Sequence, residues 1–168
     1  MAKTHKGDKG FTDLIKQNEI SKADSRIEAI GAVDEAWSAL GFARSLASNS
    51  KQKEVLLHIQ NDLHLLMSQL AGYNAAQLGK CTIDESHTDW LEQVINEIKS
   101  TVVLPKTFIV SGDTPAGAAL ALARSIVRRA ERRVVSVVDQ YPDTDPSLIK
   151  YLNRLSEACF YLEVAQSA

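Results

Sequence analysis

The chain has no surplus of basic charge: 19 Lys and Arg stand against 21 Asp and Glu, a net charge of −2 over 168 residues. That balance argues against general nucleic-acid binding, which draws on a basic excess. Cysteine is scarce. Cys81 and Cys159 are too few and too far apart for a metal knuckle. Cys159 falls in the apolar register of the last predicted helix and reads as core. A reduced cytoplasmic protein is the expectation, with a disulfide as the alternative. No apolar run approaches the length of a membrane span, so no membrane partner is expected. The polar start, with Lys3, His5, Lys6, Asp8 and Lys9, does not read as a secretory signal. The four histidines (His5, His58, His64, His87) make none of the Glu-x-x-His pairs of a di-iron bundle. Glu54 and His58, one turn apart, read as a surface interaction. A divalent ion would therefore arrive on phosphates and not in a protein-built cluster. Internal repeats and low-complexity linkers are also missing.

What is present is ordinary for a globular protein: 45% hydrophobic and 24% charged residues. A chain of this length can build one sizeable core. The expected organisation is a single domain over 1–168, with an arm over 1–25 and a helical bundle over 26–168. The arm is polar and carries glycines, and it reads as irregular. Beyond it the apolar residues recur in steps of three and four. Ile27, Ile30, Asp34, Trp37 and Gly41 read as the seam of a first helix. Leu56, Ile59, Leu63, Leu66 and Leu70 mark a second. Trp90, Leu91, Val94, Ile95 and Ile98 mark a third, introduced by the capping-type stretch Asp84-Glu85-Ser86. Thr114 as N-cap and Pro115 as first helical residue start a fourth, running to about Gln140. Leu148, Leu152, Leu155, Cys159 and Leu162 mark a fifth. No strand finds a convincing partner, so the fold class is all-α, a five-helix bundle with an irregular arm.

Within the fourth helix, Arg124 to Arg133 holds five arginines and one glutamate. Arg124, Arg128 and Glu131 follow i, i+4, i+7 and share one face. They flank the apolar row Leu120, Ala123, Val127, Ala130, Val134 and Val137. Guanidinium forks beside a core suit a polyphosphate or a buried carboxylate. The competing reading is a solvated basic face paired by Glu131. In the arm, Gly7 and Gly10 bracket Asp8-Lys9, where backbone N–H groups could turn toward an anion. This is not a Walker A loop, because the Gly-Lys-Ser/Thr ending before a helix is missing. Asp34, a carboxylate in the first helix's apolar row, calls for a partner, with Arg124 or Arg128 as candidates. Asn153 is a poor helix-interior residue unless its amide has a task, the competing reading being a surface position.

Four segments together resemble the PduO-type ATP:cob(I)alamin adenosyltransferase family: Thr4 to Thr12 (THKGDKGFT), Arg26 to Gly41 (RIEAIGAVDEAWSALG), Phe108 to Arg133 (FIVSGDTPAGAALALARSIVRRAERR) and Tyr151 to Ser156 (YLNRLS). They stand in the family's order and span nearly the whole chain. The resemblance implies transfer of the 5′-deoxyadenosyl group of ATP to cob(I)alamin, giving adenosylcobalamin and triphosphate, with Mg²⁺ accompanying ATP. It implies a cytoplasmic homotrimer of five-helix bundles with sites between subunits; periodicity alone does not show trimerisation. A reductase and an adenosylcobalamin-dependent mutase would be partners. The alternative is a homologue that delivers or senses adenosylcobalamin without efficient synthesis.

Carried over by resemblance, Thr4, Lys6, Gly7, Asp8, Lys9, Gly10 and Thr12 would wrap the triphosphate, with Lys22 and Arg26 as further nucleotide contacts. Arg128, Glu131 and Asn153 would hold ATP and its Mg²⁺. Asp34 and Arg124 match the family's intersubunit salt bridge, and Phe108 its aromatic residue on the corrinoid side. Phe108 would displace the lower ligand of cobalt, leaving a four-coordinate centre that accepts an electron more readily. Arg128, Asp34, Arg124 and Phe108 are thus the expected catalytic set; Phe108, Ser111, Asp34 and Arg124 are the expected corrinoid contacts. The chain departs from the family at several points. Ser111-Gly112-Asp113 replaces a usual Pro-Gly-Gly, Ala121 a frequent histidine, Gln166 a frequent arginine, and Thr4-His5-Lys6 the Thr-Arg-Thr opening. By the same resemblance, the changes at Ser111 and Asp113 lie by the corrinoid pocket and bear on substrate affinity more than on fold.

Overall fold

A computed structural model describes residues 6–15, 17–73, 82–104, 107 and 109–166. Among the described residues there are five α-helices: α1 (Ser25–Leu46), α2 (Ser50–Leu70), α3 (Glu85–Lys99), α4 (Pro115–Gln140) and α5 (Ser147–Val164). Their starts follow from local chemistry. Asp24 caps α1 by accepting from Arg26 N, and Asn49 accepts from Lys51 N and Gln52 N. Asp84 and His87 form a reciprocal capping box on α3. Thr114 accepts from Gly117 N, and Pro115 takes the first position of α4.

Each predicted apolar row of α2, α4 and α5 is buried in one continuous core. Helix α4 packs on both α1 and α5, α2 lies against α1, and α3 lies against α5. The α1 row is different from its sequence reading. The residues α1 buries are Ala29, Ala32, Val33, Ala36, Leu40 and Ala43. Ile27, Ile30 and Gly41 are only partly covered, Asp34 is exposed, and Trp37 is 38% exposed. Both rows have helical spacing; the small residues face the core because they let α1 come close to α4. Gly41 serves a second close approach, since a Cβ there would meet Gln60 Nε2 at 2.8 Å.

The arm corrects a second expectation. Among its described residues it holds regular structure: a 3₁₀ turn (Lys6–Lys9) leads into β1 (Phe11–Leu14) and β2 (Gln17–Ser21), an antiparallel pair. Phe11 lies opposite Ser21 and Thr12 opposite Ile20, with an irregularity before Leu14. The strands are short and mostly solvent-facing, so their apolar alternation is faint. Ile20 alone is buried. Gly10 takes φ +80°, a left-handed turn conformation natural to glycine.

A polar knot joins α2, α3 and α5. Asp62 is 4% exposed and accepts from Tyr151 Oη at 2.9 Å. His58 Nε2 stands 3.7 Å and His87 Nε2 4.0 Å from its oxygens, and His58 stacks on Trp90. Burial raises the Asp62 carboxyl above its ordinary 3.8, outweighing the lowering by Tyr151 and the imidazoles. A raised folded pKa means that this group's contribution to stability is complete below 3.8 and is lost as pH rises through the folded value. Asp62→Asn has no such loss. Its melting temperature, minus that of the parent, should grow from about pH 4 to about pH 7. A difference that shrinks over this range would mean that the imidazoles, not burial, govern Asp62.

Candidate functional site

The five arginines of α4 are sorted by the helix's two neighbours. Toward α1, Arg129 pairs with Glu35, and Arg133 Nε lies 3.2 Å from Glu28 Oε1. Arg132 Nη1 donates to the Arg128 carbonyl at 2.9 Å. These three have structural tasks within the chain. Toward α5, Arg124 is half-buried with its guanidinium 5.8 Å from the centre of the Phe160 ring. Arg128 is exposed, and no carboxylate lies in ion-pair range of it among the described residues. Glu131 does not pair with an arginine there. It accepts from Asn153 Nδ2 at 3.0 Å across the α4–α5 seam. A neutral amide fixes that carboxylate without cancelling its charge, which is a task for an otherwise unfavourable helix-interior asparagine.

Asp34 has neither Arg124 nor Arg128 as a partner within the chain. The reason is its position: α1 turns Glu28 and Glu35 toward α4, while Asp34 lies on the solvent side. An exposed carboxylate in water needs no counter-ion. The same side carries Trp37, and Phe42 and Leu122 are other large apolar groups left bare in the single chain.

The arm is braced onto the far end of α4. The Arg26 fork meets Asp24 at 3.1 and 3.2 Å, donates to Gln17 Oε1 at 2.9 Å, and lies over the Tyr141 ring at 4.3 Å. Tyr141 Oη donates to Asp24 Oδ2, and Ser25 Oγ to Gln140 Oε1. Arg26 holds Asp24 below the usual carboxylate range. Lys22 Nζ donates to the Gly7 carbonyl at 2.8 Å, and Lys22 N to that of Gly10. Arg26 is therefore the brace of the hairpin, with its Nε and Nη2 donors engaged by Asp24 and Gln17. Arg128 lies about 18 Å further along the α4 axis from Gln140. One chain thus carries the glycine-bearing arm and the Arg128–Glu131–Asn153 row at well-separated levels. Thr4 and Phe108 lie outside the described residues. Gly7, Asp8, Lys9, Gly10 and Thr12 sit in the turn and first strand, partly or fully exposed.

Beside Arg124 opens a cleft of about 450 Å³, walled by Leu104, Ile109, Ser111, Phe160 and Glu163 among others. Ser111 Oγ donates to Glu163 Oε1 at 2.5 Å, tying the loop before α4 to the end of α5. Glu163 is 5% exposed. Neither Glu163 nor Phe160 stood out in the sequence. The available signal was a carboxylate one turn beyond Cys159, next to Leu162, in a helix otherwise apolar on that side. Gln166 donates to Gln52 Oε1 and fastens the end of α5 to α2. Cys159 lies wholly inside, and burial pushes its thiol up to about 12. It is inert core, whereas Cys81 is outside the described residues.

The arrangement offers an unpaired guanidinium, a carboxylate fixed by an amide, and a mixed apolar and acidic cleft, all flanking one buried seam. Such a set can grip a polyanion and seat a large, partly apolar ligand beside it. Comparisons with known proteins agree with this chemistry. The family model for cobalamin adenosyltransferase matches residues 2–166. A corrinoid adenosyltransferase of Mycobacterium tuberculosis is 36% identical over 163 residues, covering 95% of this chain and 84% of that protein. The human corrinoid adenosyltransferase is 36% identical over 165 residues, covering 95% and 66%. A PduO-type ATP:corrinoid adenosyltransferase variant from Lactobacillus reuteri, solved with cobalamin and ATP, superposes with a TM-score of 0.83. Its identity is 32%, and the match covers 99% of this chain and 90% of that one. With nearly every residue matched by the family model and the fold shared throughout, this chain belongs to the cobalamin adenosyltransferase family.

Proposed function

We propose that this chain transfers the 5′-deoxyadenosyl group of ATP to cob(I)alamin, releasing triphosphate. The observation that carries the reading is the sorting of the α4 arginines. Two of five are neutralised by α1, one caps a carbonyl, and Arg128 is kept free beside Glu131 and Asn153. The reaction needs few functional groups. The cobalt electron pair attacks the ribose 5′ carbon, a cobalt–carbon bond forms, and the carbon–oxygen bond to triphosphate breaks with its electrons. Catalysis is then alignment of carbon over cobalt and neutralisation of the leaving triphosphate. Arg128 suits the second task. Asn153 holds Glu131 in place, and Glu131 would take Mg²⁺ together with ATP phosphates, a usual environment for that ion. Lys22 and the Gly7–Gly10 turn supply lysine and backbone donors for the rest of the phosphate chain.

The Gly7–Gly10 turn and the Arg128 row lie far apart along one chain, and among the described residues Asp34 has no cation in ion-pair range. Both facts favour a site completed by a neighbouring copy, in a homotrimer where Asp34 of one subunit meets Arg124 of the next. Phe108 would press on the lower face of the corrin and favour four-coordinate cobalt during reduction by a reductase. The product would pass to an adenosylcobalamin-dependent mutase, with all of this in the cytoplasm. Among the described residues no helix is long and apolar enough to cross a membrane.

The direct test is an anaerobic absorbance assay with Mg-ATP and chemically reduced cobalamin. Formation of a photolabile alkylcobalamin with release of triphosphate is expected. Saturable ATP binding without product would instead favour a protein that delivers or senses adenosylcobalamin. In the same assay Arg128→Ala should lower turnover by about a hundredfold, the scale of one lost transition-state donor. Full activity in that variant would remove Arg128 from the site. For the subunit contact, Asp34→Arg should lower turnover and shift the sedimentation profile toward smaller species. Adding Arg124→Asp should recover part of both; a double variant no better than the single ones would rule out the pairing.

A further inference from the structure

The cleft beside Arg124 contains a charge that the reaction outlined above does not use. Glu163 lies on α5 with 5% exposure. Its Oε1 takes the Ser111 hydroxyl at 2.5 Å, and among the described residues no cation lies in ion-pair range. The nearby Arg124 points its guanidinium at the Phe160 ring. An ionised carboxylate offers about four acceptor positions, and here one neutral hydroxyl serves them. Buried carboxylates left short of donors are costly. Glu163 lines the cleft, so a ligand seated there can supply further donors.

We propose that Glu163 is a specificity-determining residue, accepting N–H from a peripheral amide of the corrinoid and repelling corrinoids with free carboxylates at that edge. This rests on the reading that the cleft of Ser111, Arg124 and Phe160 seats the corrinoid. The chemistry discriminates sharply. A primary amide presents two N–H donors to the carboxylate, whereas a carboxylate in its place brings like charge against like in a confined space. The Ser111 contact orients Glu163, so that its second oxygen is the one available to the ligand.

The test uses the full chain and two probes that both lack the lower nucleotide loop, cobinamide and cobyrinic acid diamide. Binding of each in the cob(II) form is read by quenching of tryptophan fluorescence, and turnover is read separately with Mg-ATP under anaerobic reduction. The parent should bind cobinamide more tightly by at least tenfold. Glu163→Gln, nearly isosteric and able to keep the Ser111 contact, should lose about tenfold of that preference, the scale of one charge-assisted hydrogen bond. Its KM for ATP should stay within about twofold of the parent's. Glu163→Ala should lose the preference as well, which guards against a compensating role of the glutamine amide. An unchanged preference in both variants overturns the inference. Selective binding that these variants erase, but with no turnover in the parent, would sink the transferase reading alone and sustain the role of Glu163. A parent that binds neither probe overturns both.

Discussion

The close approach of α1 to α4 is the constraint on which the rest of the molecule depends. Ala29, Ala32 and Ala36 on one helix face a partner whose own seam carries Ala123 and Ala130. Small side chains bring the helices near enough for Glu28 and Glu35 to reach Arg133 and Arg129 across the groove. That proximity fixes the rotation of α4. Once two arginines are committed to α1, the helical repeat turns Arg124, Arg128 and Glu131 to the opposite flank, toward α5. The site row is therefore a by-product of how the core packs, and a rotation of α4 would move every one of its members together.

Much of this was legible in the sequence because helices bury one stripe and repeat it. The rows of α2, α4 and α5 and the Thr114-Pro115 start needed only spacing and capping chemistry. The α1 row misled because two stripes on that helix share the same period, and the bulkier one looked like core. Size was the clue: alanines face the tight contact, while isoleucine and tryptophan stay on the flank. The hairpin of Phe11–Leu14 and Gln17–Ser21 went unread because strands with little buried surface show little alternation.

The site was legible as chemistry but not as geometry. Arg124, Arg128 and Glu131 share one flank of α4, as their spacing suggested, while the contact of Glu131 with Asn153 needed the folded α4–α5 seam. Spacing could not say that Arg26 would be consumed by Asp24, Gln17 and Tyr141, since those residues meet it only through the folded hairpin and the end of α4. Glu163 was hidden for the opposite reason. A single acidic residue near the end of an apolar helix looks like solvent-facing decoration until the loop carrying Ser111 is seen to close over it.

The exposure of Arg128 sets how far its influence extends. A guanidinium surrounded by water acts through a field that dies within a Debye length, about 8 Å at physiological ionic strength. A net charge of −2 over the whole chain adds no overall pull on a polyanion, so an exposed row of this kind selects mainly on contact, once water is displaced from it. Discrimination among polyanions at such an exposed row is a matter of fit at short range, and added salt would slow capture there far less than at a strongly basic cleft.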